Sequence, residues 1–199
     1  MRWDRFFEDL QDQFDAEWEA ERAILDTEAE RLRLSRVTLR ERLGELSRAT
    51  DAARAALAFE LIGEVSLTAH VNVVGADWVG VEVGELSGIV PFAAICGVGL
   101  DHADLLRSAR PRETPRASLT ERMTVGFVLR DLARRRVPVT VATAAGRSLT
   151  GTIDRAGADH LDLALHDPGE PRRAAAVRGH RLLPFTAIAW VRLDRIEHR

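Results

Sequence analysis

The side chains best placed to do chemistry fall into two groups, a His/Asp cluster and an arginine-rich run. His160, Asp162, His166 and Asp167 come nearest to a metal-ligating or acid–base set, because imidazole and carboxylate bind divalent cations and move protons near neutral pH. Strand alternation would put His160, Asp162 and His166 on one solvent-facing side, which an ordinary surface strand explains as well as a metal site does. The remaining histidines, His70, His102, His180 and His198, are scattered. Arg172, Arg173, Arg178, His180 and Arg181 crowd a stretch that also holds Gly169, Pro171 and Gly179. Such a loop can present charge to phosphates or to an acidic protein, or it can simply keep an insertion soluble.

No HExxH, phosphate-loop or GxSxG pattern occurs, and no activated nucleophile is recognisable. The expectation is therefore a protein that is not an enzyme, with no cofactor, no metal and no specific small-molecule ligand. A single cysteine, Cys96, excludes an intramolecular disulfide and a cysteine-rich zinc site. Its apolar strand context predicts a small buried side chain.

The elements that must hold these residues are written twice. GADWVGVEV and VPFAAICGV in the first half return as GADHLDLAL and LPFTAIAWV in the second. An offset of 82 residues matches Val65–Val74 with Arg147–Ala156 and Gly75-Ala76-Asp77 with Gly157-Ala158-Asp159. The offset becomes 93 before the last strands, because the second copy carries eleven more residues in HDPGEPRRAAAVRGHRL. Period-two alternation predicts strands at 137–143, 148–155 and 159–165, with Ala145-Gly146 and Gly157-Ala158 as turns. Asp77 and Asp159 follow Gly-Ala at a turn, where a carboxylate accepts backbone hydrogen bonds. Pro91 and Pro184 constrain the start of the next strand, each followed by a phenylalanine expected to be buried, and Trp78 and Trp190 fit core or interface positions.

Helices precede each strand block. Residues 3–33 lack Gly and Pro, and Trp3, Phe7, Leu10, Phe14, Trp18, Leu25 and Leu32 recur at helical spacing on an acidic background. That stripe predicts a helix interface. Its expected occupants are a barrel or another copy of the chain, with a different protein as the alternative. A second helix is expected over 36–49 with Ser35 as N-cap, and a third over 118–136 with Ser118 and Glu121 in a capping box. Arg134, Arg135 and Arg136 suit the carboxyl end of the third helix, and an acidic or nucleic-acid partner is the other reading. The organisation is an N-terminal amphipathic helix (1–34), a helix plus small barrel (35–98), a linker (99–117) whose start can hold a short helix, and a second helix plus barrel (118–199).

This order of short helix, successive strands and xPFxAIxxV resembles the Sm-like superfamily of small, SH3-like β-barrels, which includes bacterial RNA chaperones. Gly146, Leu149, Gly151, Asp159 and Ala187-Ile188 carry the resemblance in the second copy, and Leu67, Asp77, Ala94 and Ile95 carry it in the first. It covers roughly 55–98 and 137–193 and implies an α+β, mainly β fold of two tandem barrels. RNA binding around an oligomeric pore is also implied by that family. Its bacterial members place a basic residue and a histidine before the terminal Ala-Ile pair. Here those positions are Phe185-Thr186 and Phe92-Ala93, so the basic residue is missing.

Charge divides along the chain: residues 1–100 carry 19 acidic and 10 basic side chains, residues 101–199 carry 12 and 18, and the net is -3. Every basic residue is arginine. An acidic whole argues against indiscriminate coating of DNA. No apolar run is long enough for a membrane span, and the start MRWDRFFEDL is unlike a secretory leader, which predicts a cytoplasmic protein without a membrane partner. The leading expectation is a protein-interaction or scaffolding module with a protein partner or self-association. RNA, bound through the arginine-rich second half, is the alternative partner.

Overall fold

Alternating apolar and polar residues become strands from Leu57 to Leu193 in the computed structural model, which describes residues 22, 27–48, 55–111, 118–170 and 172–193. Residues 1–38 and 39–199 are two separate units. In the first, residue 22 and residues 27–35 are helical, and Leu32 is exposed. Trp3, Phe7, Leu10, Phe14, Trp18 and Leu25 lie outside the described residues.

The described residues of the second unit hold ten strands: β1 (Leu57–Leu61), β2 (Val65–Val74), β3 (Trp78–Val83), β4 (Leu86–Pro91), β5 (Ile95–Gly99), β6 (Pro138–Thr143), β7 (Ser148–Ala156), β8 (His160–Leu165), β9 (Gly179–Pro184) and β10 (Ile188–Leu193). They pair into one antiparallel sheet in the order β5-β1-β2-β3-β4-β10-β6-β7-β8-β9. The fold is α+β and mainly β. Its sheet stays open, with β5 and β9 as edges, where the sequence led us to expect two tandem small barrels.

The registers of the two halves coincide residue by residue. Leu57 faces Ala69 as Val139 faces Gly151, and Phe59 faces Val98 as Val141 faces Val191. Even the irregularities match, with bulges at Val71/Val73 in β2 and at Ile153/Arg155 in β7. The Phe92 N–H donates to the Asp77 carbonyl, and the Phe185 N–H donates to that of Asp159. In β7 the backbones approach so closely that a Cβ at Gly151 would lie 2.0 Å from the Ala164 carbonyl oxygen, whereas the matched position in β2 is Ala69.

Two cores share side chains across the midline. One gathers Leu129, Val139, Val141, Ile153, Leu161 and Leu163 but also takes Trp78 and Ile89 from the first half. The other gathers Leu43, Phe59, Val71, Val79 and Val90 and takes Ala142 and Ala189 from the second. Each fully buried Val, Leu or Ile contributes about 1.5–3 kcal/mol, so the exchange binds the halves strongly. Trp78 and Trp190 take the core and junction positions expected of them; Phe92 and Phe185 are only half-buried.

Among the described residues four short helices accompany the sheet: α1 (Leu39–Ser47), α2 (His102–Ser108), α3 (Leu119–Arg122) and α4 (Val125–Arg135). Ser35 does not cap α1; it ends the preceding helical segment, and its hydroxyl donates to the Leu32 carbonyl. The expected helix over 118–136 is two helices, because Met123 and Thr124 are extended between them. Ser118 accepts from the Glu121 N–H as expected, and Thr124 caps α4. The break frees the Met123 carbonyl to accept from the Ala76 N–H and from Trp78 Nε1, both at 2.9 Å. Asp77 Oδ1 accepts from the Val125 N–H at 2.6 Å, so a first-half turn caps a second-half helix. The linker holds α2, capped by Asp101.

Replacing Asp77 by Ala removes this long-range cap and should cost about 1 kcal/mol. The check is a lower urea midpoint with an unchanged m value, with Asp77→Asn retaining part of the loss.

Candidate interaction surfaces

The arginine-rich segment begins where β8 ends, and much of its charge is spent inside the molecule. Arg172 grips Asp154 of β7 with two hydrogen bonds, Nε to Oδ1 and Nη2 to Oδ2, each 2.6 Å. Arg136, at the left-handed C-cap of α4, reaches the same carboxylate at 2.7 Å, and His180 Nε2 lies 3.7 Å from it. The Arg172 hydrogen bonds, then the Arg172 and Arg136 charges, outweigh burial and hold the Asp154 carboxyl below its ordinary value. Arg178 pairs with Asp167. The Arg173 side chain is exposed and engages no partner among the described residues, and among them the Arg181 guanidinium hydrogen-bonds only to the His180 carbonyl.

Of the five candidate contact residues, then, Arg172 and Arg178 are anchors, whereas Arg173 projects freely. His180 and Arg181 belong to strand β9 and not to the loop. The basic end of α4 is likewise engaged: Arg134 and Arg135 sit 2.5 and 2.6 Å from Asp131, and their hydrogen bonds lower its pKa.

The His/Asp cluster disperses. His160 Nδ1 pairs with Asp159 Oδ1 at 2.8 Å, which with the imidazole charge lowers the Asp159 pKa. His166 is not on the solvent side. It is 4% exposed, because the chain leaves β8 after Leu165 and turns the ring inward. Its Nδ1–H donates to the Asp167 carbonyl at 3.0 Å, and Nε2 is hydrogen-bonded with the Thr152 hydroxyl at 2.8 Å. Both ring nitrogens are used structurally, and among the described residues no three His, Cys, Asp or Glu side chains gather as a metal site.

Two surfaces escaped sequence reasoning, the sheet edges. On β9 Leu182 is 67% exposed. On β5 Cys96 is exposed, contrary to the buried role expected of it, because β5 pairs only with β1 and leaves its other side open. A groove of about 270 Å³ runs beside that strand, with Leu43, Leu46, Cys96, Val98 and Leu105 among its walls. An exposed strand edge offers unpaired N–H and C=O groups to another chain. The signal was present in the repeat, which aligns exposed Leu182 with Ile89, but single-strand patterns do not reveal which strands are outermost.

No helix among the described residues is long and apolar enough to cross a membrane. No family model matches the chain, and neither a curated protein nor a solved structure does.

Asp154→Ala should release the loop, raising amide exchange over 166–178 while the strands stay protected. In the wild type the depressed Asp154 pKa means that docking is complete above the ordinary aspartate range and lost as pH falls through the lowered folded value. Exchange corrected for intrinsic rates should show that order, and the variant should show no such transition.

Proposed function

We propose that the chain is a non-enzymatic protein-interaction or scaffolding module of the cytoplasm, built from two tandem Sm-like, SH3-like small barrels, that engages protein by strand addition at a sheet edge. The observation that carries this reading is Leu182, a large apolar side chain 67% exposed on a strand with one side unpaired. The matched strand order and registers of the two halves support the tandem-barrel reading. Support for a non-enzymatic role comes from the employment of the chemistry-bearing residues: His166 is locked in the interior, and His160 is held by Asp159. The aromatic stripe Trp3, Phe7, Leu10, Phe14 and Trp18 supplies a second interface in this reading.

RNA binding is the second reading, favoured by Arg173 and Arg181, which have no carboxylate partner among the described residues. The pairing of Arg172 with Asp154 and Arg178 with Asp167 weakens it, since phosphate would have to displace carboxylates already in place.

The test is a crosslinking pull-down of the full chain, wild type beside Leu182→Asp, with and without nuclease. Protein recovery that survives nuclease and is lost in the variant is expected. RNA enrichment lost in an Arg173→Ala/Arg181→Ala variant would overturn this assignment in favour of RNA.

A further inference from the structure

The two halves carry one sheet face in two states, closed and open. In the second half the segment after β8 folds over the outer face of β7 and β8. His166 Nε2 is hydrogen-bonded with the Thr152 hydroxyl at 2.8 Å, and Arg172 takes both oxygens of Asp154. Beneath that segment Thr152 is 1% exposed and Ala164 is fully buried.

The matched registers locate the same face in the first half. His70 stands at the position of Thr152, Asn72 at that of Asp154, Glu82 at that of Ala164 and Ser87 at that of His180. There β3 and β4 are joined by a tight turn, with Val83 opposite Leu86, where the second half has its eleven extra residues. Among the described residues no segment closes over this face: Asn72 and Ser87 are exposed, and His70 and Glu82 are half-buried.

The chemistry of the open face says what fits it. Strand alternation sends Leu57, Phe59, Leu61, Ala69 and Val71 into the core and leaves Ala58, Glu60, Ser66, Thr68, His70 and Asn72 facing outward. With Glu82 of β3 these positions hold two carboxylates and two hydroxyls, and none is an arginine. Glu60 is exposed and has no partner among the described residues. On the closed face a guanidinium forks onto the carboxylate of Asp154; on the open face Glu82 Oε1 accepts from the neutral Asn72 amide at 2.8 Å. The surplus of acid in residues 1–100, 19 acidic against 10 basic side chains, has the same sign.

We propose that this open face binds an arginine-bearing extended segment of another protein, laid over β1, β2 and β3 as the chain's own segment is laid over β7 and β8. Guanidinium groups of the partner meet Glu60 and Glu82, and its polar groups meet the Ser66 and Thr68 hydroxyls. Arginine fits better than lysine because its planar fork engages both oxygens of a carboxylate, as Arg172 engages Asp154. The face lies in the half of the sheet away from β9, so it is a second surface that does not depend on the Leu182 edge.

The experiment is fluorescence anisotropy of labelled peptides with the full chain at low salt, using alternating Arg-Ala, Lys-Ala and Glu-Ala sequences, with circular dichroism to verify the fold of each variant. Arg-Ala should bind, Lys-Ala should bind more weakly and Glu-Ala should not bind. Glu60→Gln/Glu82→Gln should weaken Arg-Ala binding about tenfold or more, through the loss of charge-assisted hydrogen bonds. Asn72→Arg, which gives the face a guanidinium of its own, should weaken it as well. Glu170→Gln, which alters an exposed carboxylate of the second half, should leave it unchanged. Failure of Arg-Ala to bind, an affinity untouched in folded Glu60→Gln/Glu82→Gln or Asn72→Arg, or an equal loss in Glu170→Gln would each overturn the site. Lys-Ala binding as tight as Arg-Ala would overturn the choice of guanidinium.

Discussion

Everything in the 39–199 unit depends on the pairing of β4 with β10. Without it the chain would be two small five-stranded sheets of about 50 residues each, a size at which burial barely offsets chain entropy. With it, Ile89 and Trp78 complete the core of the second half while Ala142 and Ala189 complete that of the first half. The Asp77 cap on α4 and the acceptance by the Met123 carbonyl of the Ala76 and Trp78 donors act at the same seam. Arg40 adds to it, donating to the Gly75 carbonyl and to that of Glu121. The halves are consequently not independent beads on a linker.

A second constraint is electrostatic. A chain whose only cations are arginines could present a continuous positive face in its second half, yet Asp131, Asp154 and Asp167 each hold guanidinium groups at home. Asp154 is central because three elements converge on it: β7 supplies the carboxylate, the C-cap of α4 supplies Arg136 and the loop after β8 supplies Arg172. Partly buried, multiply bonded pairs of this kind resist screening better than solitary surface pairs. Within the stretch from Arg172 to Arg181, the arginines left without a carboxylate among the described residues are Arg173 and Arg181.

Much of the fold was legible because the repeat prints each strand twice. The strands at 137–143, 148–155 and 159–165, the turns at Ala145-Gly146 and Gly157-Ala158, and the short helix in the linker all follow from local alternation and turn chemistry. What escaped depends on distant partners. Thr124 breaks a good helical pattern because Met123 is wanted by Trp78, a contact that no window around residue 123 contains. Cys96 sits in an apolar strand but at an edge, and edges are decided by the order of all ten strands. His180 and Arg181 read as loop because Gly179 and the arginines mask a strand whose pairing with Ala164 and Leu163 fixes it. For the candidate surfaces, residue types were visible, but which charges were spent internally was not.

The long span between β4 and its partner has a consequence for synthesis. β4 is complete at Pro91, whereas β10 begins only at Ile188, so a nascent chain carries an unclosed apolar edge while the intervening residues are made. At about 5–20 residues per second that interval lasts roughly 5–20 s. Throughout it, the Ile89 edge of one growing chain is equally suited to the newly made β10 of a neighbour whose own β4–β10 pairing has not yet closed, making domain exchange between polysome-mates the characteristic hazard of this topology.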